Sequence, residues 1–312
     1  MRIAIIGSGA VGLFYGAVLQ RGGHDVRFLL RTDYEAVSAS GLTVHSIDGD
    51  FRLDRVLGFR DAADMGEVDL VLVALKAFSN AHLVEMVRPL MEGDAAVLTL
   101  QNGLGNEELL ADAFGASKVL GGVAMIGVGR TSPGIVNHMA LGAIRLGEFA
   151  GGLSARAEAI SAVFREAGIR CEAVADLRKI RWEKLVWNIP FNGLCTVTGE
   201  TPSVLLARPD MRRLVTEIMR EVVAGGNAQG FRDPIPEAFV AKMVSTTERH
   251  TGKHRPSMLV DRLAGRPLEL DAIYRIPLEH AADRGVEMAR VRMLHALLEL
   301  GEKGANRESP PG

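Results

Sequence analysis

Cysteine is scarce in this chain. Cys171 and Cys195 are the only two in 312 residues, too few for a disulfide framework and not spaced as a C-x-x-C metal or redox pair. They read as two ordinary, half-buried thiols of a reducing compartment. A dominant charge is missing as well: 36 basic residues against 38 acidic ones leave a formal net charge of −2. That gives no global electrostatic footprint for nucleic acid or for an anionic membrane surface, so any bound anion has to be held by a local site. No apolar run approaches the roughly 18 residues that span a bilayer. Gly7 and Gly9 interrupt the apolar start MRIAIIG before a signal-peptide core can form. The expectation is a soluble cytoplasmic protein with no membrane and no nucleic-acid partner. The eight histidines include no H-E-x-x-H or other pair at ligand spacing, so no metal is expected.

What is present is a change of pattern along the chain. At 47% hydrophobic, 312 residues can bury more than one core, and single cores stop growing near roughly 250–300 residues. In the first half, β-branched runs at Arg2–Ile6, Asp25–Leu30, Leu70–Ala74 and Ala95–Leu100 alternate with helical stretches at Ala10–Arg21, Asn80–Met91 and Asn106–Phe114. That alternation is the mark of a parallel sheet covered by helices. Between Leu42 and Phe59 the pattern suggests a hairpin or two short strands, turning at Ile47-Asp48-Gly49-Asp50. The valine- and glycine-rich stretch from Lys118 to Glu148 is expected to complete the sheet. From Asp176 onward helical periodicity takes over, with apolar residues at three- and four-residue spacing. The fold class expected is α/β: an N-terminal Rossmann-type domain over 1–170 that binds a dinucleotide, and an all-helical domain over 171–312 that carries substrate and catalysis.

The first strand runs directly into Gly7-Ser8-Gly9-Ala10-Val11-Gly12 and then into the first helix. In that context G-x-G-x-x-G is the dinucleotide fingerprint. The first glycine permits the tight turn, the second lets backbone approach a pyrophosphate, and the third lets helix and strand pack closely. Arg31 decides which dinucleotide, because it ends the strand DVRFLL where an acidic residue would meet the 2′-hydroxyl of NAD. A guanidinium pairs with a 2′-phosphate instead, so the expected cofactor is NADP. Asp33, two residues on, is the one residue that argues the other way.

Polar residues follow the strands. Lys76 and Asn102 lie just past carboxyl ends, the edge where open α/β sheets bind ligands, although each could equally be a solvated turn residue. Lys184, Asn188 and Asn192 recur every four residues, hence on one helix face, and Leu185, Val186, Trp187, Ile189 and Phe191 between them make that helix buried. A buried ammonium or amide needs partners, which are either protein groups or a ligand. Pro190 is expected to bend the helix and release the carbonyl of Val186. Ser257 and Glu269 flank a Gly-Arg-Pro turn in RPSMLVDRLAGRPLELD, with Glu269 near the start of a new helix, where the dipole favours a carboxylate.

Taken together, GSGAVG, LKA at 75–77, QNGLGN at 101–106, WEKLVWNIPFNGL at 182–194 and RPSMLVDRLAGRPLELD at 255–271 make the chain resemble the ketopantoate reductases, in order and over nearly the whole length. The resemblance implies NADPH-dependent reduction of a 2-oxo acid to a 2-hydroxy acid, with 2-dehydropantoate giving pantoate in pantothenate and coenzyme A synthesis. It implies Lys184 as general acid, Asn188, Asn192 and Ser257 as substrate contacts, and Glu269 as a catalytic carboxylate. Lys76 and Asn102 are implied to lie near cofactor and substrate. The stretch TVTGETPSV lacks the further asparagine of many members, which leaves the substrate open. A related 2-hydroxy acid dehydrogenase with another substrate, or a non-catalytic NADP-binding regulator, remain the alternatives. A homodimer is compatible with the apolar helix faces.

Overall fold

The computed structural model describes residues 1–250 and 255–305. Its chain forms two compact units. One comprises Met1–Gln101 and Asn106–Leu177, and the other comprises Asn102–Gly105 together with the chain from Arg178 onward.

The first unit is built on a ten-stranded sheet: β1 (Arg2–Ile6), β2 (Asp25–Leu29), β3 (Leu42–Ser46), β4 (Phe51–Leu53), β5 (Leu57–Phe59), β6 (Leu70–Val73), β7 (Ala96–Thr99), β8 (Val119–Ser132), β9 (Ile135–Glu148) and β10 (Cys171–Ala173). Their order is β4-β3-β9-β8-β7-β6-β1-β2-β5, with β10 added beside β9. From β5 to β8 every neighbour is parallel. Side chains alternate between two cores. Ile3 and Ile5 of β1, with Leu70 and Leu72 of β6, enter one; Ala4 and Ile6, with Val71 and Val73, enter the other. Both faces are therefore covered, which is why these strands read as continuous apolar runs rather than as alternating ones. The chain leaves β1 toward β2 on one side and β6 lies on the other, so the carboxyl end of β1 is the switch point of the sheet.

One face carries α1 (Ala10–Arg21), with α2 (Tyr34–Ser40) following β2. Gly16 lets α1 sit down on the sheet, since a Cβ there would lie 2.4 Å from the ring of Phe28. The hairpin expected between Leu42 and Phe59 forms as β3–β4, while β5 pairs with β2 at the opposite edge. The single helix expected over 80–91 is instead three pieces: a 3₁₀ stretch Ala77–His82, α3 (Leu83–Val87) and a 3₁₀ turn Arg88–Leu90. Pro89 has no N–H to continue the α ladder, and beyond Val87 the chain tightens to a 3₁₀ turn. Helices α4 (Asn106–Phe114) and α5 (Ala155–Glu166) complete this unit. The long strands β8 and β9 pair antiparallel with three register shifts.

The second unit is helical: α6 (Leu177–Thr198, all but its first residue), α7 (Pro202–Ala207), α8 (Pro209–Asn227), α9 (Ala238–His250), α10 (Ser257–Leu263), a π-helical turn Asp271–Arg275, α11 (Ile276–Ala282) and α12 (Ala289–Ala305). Its core joins Trp182, Leu185, Val186 and Ile189 of α6 to Val215, Ile218, Met219 and Val222 of α8. Gly225 and Gly226 make room for the indole of Trp182, whose atoms would meet added Cβ atoms at 3.3 and 3.2 Å. Helix α6 runs on through Pro190 to Thr198. The architecture is a Rossmann-type α/β unit followed by a helical one.

Candidate functional site

The glycine-rich turn Gly7–Gly12 leaves β1 at the switch point and enters α1. Its three glycines answer three different demands. Gly7 sits at φ +104, and a Cβ there would lie 2.4 Å from the backbone nitrogen of Leu75. At Gly12 a Cβ would lie 2.2 Å from the carbonyl oxygen of Gly7. Gly9, the residue before α1, has an ordinary φ of −77 and a Cβ there would meet nothing within 4 Å. Neither backbone strain nor protein packing asks for glycine at that position. The first turn of α1, whose N–H groups lack helical partners, is thereby left open to close approach by a ligand. The residues present therefore fit a dinucleotide pyrophosphate.

Ser8 ties this turn to the second strand by donating its hydroxyl to the carbonyl of Leu29 at 2.6 Å. Arg31 lies just past β2 with an exposed side chain. Asp33 is turned inward and only 2% exposed. Its carboxylate accepts from Arg130 at 2.5 Å, from the Gly134 N–H at 3.3 Å and from Thr32 at 3.1 Å. Lys76 is half-buried immediately after β6, at the head of the 3₁₀ stretch. Past β7 a chain of amides forms within the same unit: Thr99 donates to Gln101 at 3.0 Å, Gln101 to Asn80 at 2.8 Å and Asn80 to Asn106 at 2.9 Å. It ties Gln101 to Asn106 through Asn80.

In the helical unit, Lys184, Asn102 and Glu269 come together from three separate parts of the chain. The Lys184 ammonium donates to Asn102 Oδ1 at 2.7 Å, and Asn102 Nδ2 donates to Glu269 Oε2 at 3.3 Å. Glu269 is 4% exposed. The turn that carries Asn102 is docked on the π-helical turn: Leu104 N–H donates to the carbonyl of Ala272 at 2.9 Å. Gly103 sits there at φ +82, where a Cβ would be 2.2 Å from that same oxygen. One helical turn beyond Lys184, Asn188 is 5% exposed and its side chain makes no hydrogen bond among the described residues. Its amide therefore keeps two donors and an acceptor that a polar ligand can use.

Asn192, another turn on, serves the protein. Its Oδ1 accepts from the backbone N–H of Met258 at 3.3 Å. The residue preceding α10 is Pro256, which offers no side-chain acceptor, so Asn192 caps α10 from a neighbouring helix. Ser257 is the first residue of that helix and is exposed. Sequence reasoning did not single out Arg130, Gln101 or Tyr274. Tyr274, fully buried, donates to the carbonyl of Ile189 at 2.8 Å, and burial holds its phenol well above its ordinary pKa, so it remains a donor. Only the Gln101 signal was visible, inside the QNGLGN segment. Among the described residues no group of three or more His, Cys, Asp or Glu is placed to hold a metal, and no helix is long and apolar enough to cross a membrane.

The chain matches two family models, Ketopantoate reductase PanE/ApbA over residues 3–151 and Ketopantoate reductase PanE/ApbA C terminal over residues 176–302. It is similar to a 2-dehydropantoate 2-reductase of Nostoc sp., 40% identical over 311 residues that cover 98% of this chain and 96% of that one. Among solved structures, the 2-dehydropantoate 2-reductase of Geobacter metallireducens superposes with a TM-score of 0.94 at 52% identity, covering 96% of this chain and 99% of that one. The corresponding enzyme of Methylococcus capsulatus gives 0.91 at 34% identity, with 100% of each chain covered.

Proposed function

The chain belongs to the ketopantoate reductase family, and from that premise we propose how its own residues reduce a 2-oxo acid, 2-dehydropantoate, to the 2-hydroxy acid pantoate. The protein is an oxidoreductase. The observation that carries the mechanism is the linkage of Lys184 through Asn102 to the buried Glu269.

Reduced NADP, held by the glycine-rich turn, would be the source of the hydride that C2 accepts. Gly9 leaves the first turn of α1 open to the pyrophosphate, and Arg31 meets the 2′-phosphate with a fork of donors that a bare hydroxyl cannot use. Lys76 adds a positive charge after β6. In the helical unit, Asn102 Oδ1 fixes one of the three ammonium hydrogens of Lys184 and so sets the direction of the Cε–Nζ bond. Lys184 then polarises the C2 carbonyl oxygen and gives it a proton as charge develops there. Glu269, through the Asn102 amide, keeps that asparagine oriented with its oxygen toward the lysine. Asn188 supplies the buried amide for the substrate's polar groups. Ser257 meets the substrate at the start of α10, a helix that Asn192 holds in place.

The reading keeps the enzyme in the cytoplasm with a small-molecule 2-oxo acid as partner, and light scattering at working concentration decides whether it is a homodimer. The central test follows NADPH oxidation with 2-dehydropantoate beside a panel of branched 2-oxo acids, in the wild type and in Lys184→Ala. We expect turnover of 2-dehydropantoate, a kcat lower by roughly 10²–10⁴ in the variant and little change in NADPH Kd. A variant with near-wild-type kcat removes Lys184 from proton transfer, and a wild type that prefers another 2-oxo acid reassigns the substrate.

A further inference from the structure

We propose that Arg130, on the β8–β9 hairpin, is a second determinant of cofactor choice, a preorganised guanidinium that shares the 2′-phosphate of NADP with Arg31. The proposal rests on the NADP reading above and names a residue that no fingerprint contains. Strand β2 is followed by Leu30-Arg31-Thr32-Asp33, so an acidic side chain, Asp33, does stand near the position where NAD-binding sheets place theirs. Its carboxylate is not offered outward. It is 2% exposed and accepts from Arg130, Gly134 and Thr32, so three of its roughly four lone-pair directions are engaged. A ribose 2′-hydroxyl would find no acceptor there.

The same contacts fix Arg130. One guanidinium nitrogen donates to Asp33 Oδ1 at 2.5 Å and the other to the carbonyl of Ser8, in the glycine-rich turn, at 3.3 Å. Ser8 in turn holds the carbonyl of Leu29, near the end of β2, at 2.6 Å. The guanidinium therefore sits where the pyrophosphate turn and the ribose-reading strand meet. A register shift between Arg130 and Ser132 bends the hairpin at this point. Of the five N–H donors in the fork, two face these acceptors, and the side chain remains 30% exposed. Arg31, by contrast, is exposed and its side chain makes no hydrogen bond among the described residues. It loses rotamer freedom when it closes on a phosphate, whereas Arg130 is already held in place and loses little. Asp33, behind the guanidinium, acts as its positioning residue and at the same time is withdrawn as a partner for NAD.

The test is direct binding, by fluorescence titration or calorimetry, of NADPH, NADH and adenosine 2′,5′-bisphosphate to the wild type, Arg130→Ala, Arg130→Lys and the double variant Arg130→Ala/Asp33→Asn. The double variant avoids leaving a buried charge unpaired, and the NADPH-to-NADH affinity ratio is indifferent to a uniform loss of stability. We expect NADPH and the bisphosphate to weaken by roughly 10- to 100-fold in both Ala variants, as for one lost charge-assisted contact. Arg130→Lys should fall between, and NADH should change little. An unchanged ratio overturns the proposal and leaves Arg130 a structural strut. NADH binding that tightens while NADPH binding holds also overturns it, since Arg130 would then act only by occupying Asp33. A wild type that binds no NADPH defeats the cofactor reading itself, a result separable from any behaviour of the variants.

Discussion

Replacing Gly9 by alanine separates what the fold needs from what the ligand needs. At this position φ is −77 and an added Cβ meets no atom within 4 Å. Alanine there is unstrained and shrinks the freedom of the unfolded chain, so stability should hold or rise by about 0.4–1 kcal/mol. The neighbouring glycines behave oppositely, since Cβ atoms at Gly7 and Gly12 would lie 2.4 and 2.2 Å from backbone. The methyl of Gly9→Ala occupies the space through which a pyrophosphate reaches the first N–H groups of α1. Pushing the phosphate off one such donor forfeits a hydrogen bond to a charged group, about 1.5–3 kcal/mol. That corresponds to a roughly 10- to 150-fold rise in NADPH Kd. Differential scanning calorimetry and a fluorescence titration of the same preparation read the two quantities. A Gly9→Ala protein with wild-type Kd would refute the assignment of this turn to the pyrophosphate, and one with a clearly lowered Tm would refute the claim that the space beside Gly9 belongs to no protein atom.

Four further outcomes follow from the same geometry. Gly103→Ala combines positive-φ strain with a methyl 2.2 Å from the Ala272 oxygen, and should cost about 2–4 kcal/mol in urea unfolding; an unshifted midpoint contradicts the docking of that turn. Asn102→Ala removes the group that aims Lys184 and should lower kcat roughly 10²-fold, read in steady-state assays, with an unchanged kcat showing that the lysine is aimed by something else. Burial pushes the Cys195 thiol up to about 12 and raises Cys171 as well, so a disulfide thiol reagent at mildly alkaline pH should label neither until the protein is unfolded. The carboxylate of Asp69 is held below its ordinary value, first by the side-chain hydrogen bond from Arg2; the stability it contributes is present above an unfolded pKa of about 4 and lost as pH falls through its lower folded value, so Asp69→Asn should flatten the acid limb of a Tm–pH curve.

How far the sequence reaches depends on the range of the interaction. Strands β1, β6 and β7 were legible because burial on both faces leaves uninterrupted valine, isoleucine and leucine, and the first helix because glycine, apolar stripe and Gly22-Gly23 all agree on its limits. The common face of Lys184, Asn188 and Asn192 followed from helical spacing alone, but spacing could not tell their duties apart. Asn188 makes no side-chain hydrogen bond among the described residues, whereas Asn192 caps a helix that begins 65 residues later in the chain, its bond reaching Met258. Nor could it show Arg130, whose partner Asp33 lies 97 positions away. An ion pair between a hairpin and a loop leaves no local periodicity on either side. The end of the helix expected over 80–91 was cut short by Pro89, a local break that apolar periodicity does not register.

Proline at 277 shows how a small backbone irregularity reaches the chemistry. It has no N–H for the carbonyl of Ile273, four residues earlier, and just before it the N–H of Ile276 reaches back five residues to the carbonyl of Asp271, so the segment is a π turn. Such a turn holds one residue too many for α geometry and reorients its carbonyls, a feature that recurs at functional sites. Here the carbonyl of Ala272 takes the N–H of Leu104 at 2.9 Å. That bond is close enough to demand glycine at 103, and the turn it docks sets Asn102 between Lys184 and Glu269, which precedes the π segment by two residues. A straight α-helix over 270–282 would bury the same apolar side chains, yet it would offer the Asn102 turn no such acceptor. Lys184 is thus aimed by backbone geometry that the apolar core alone does not specify.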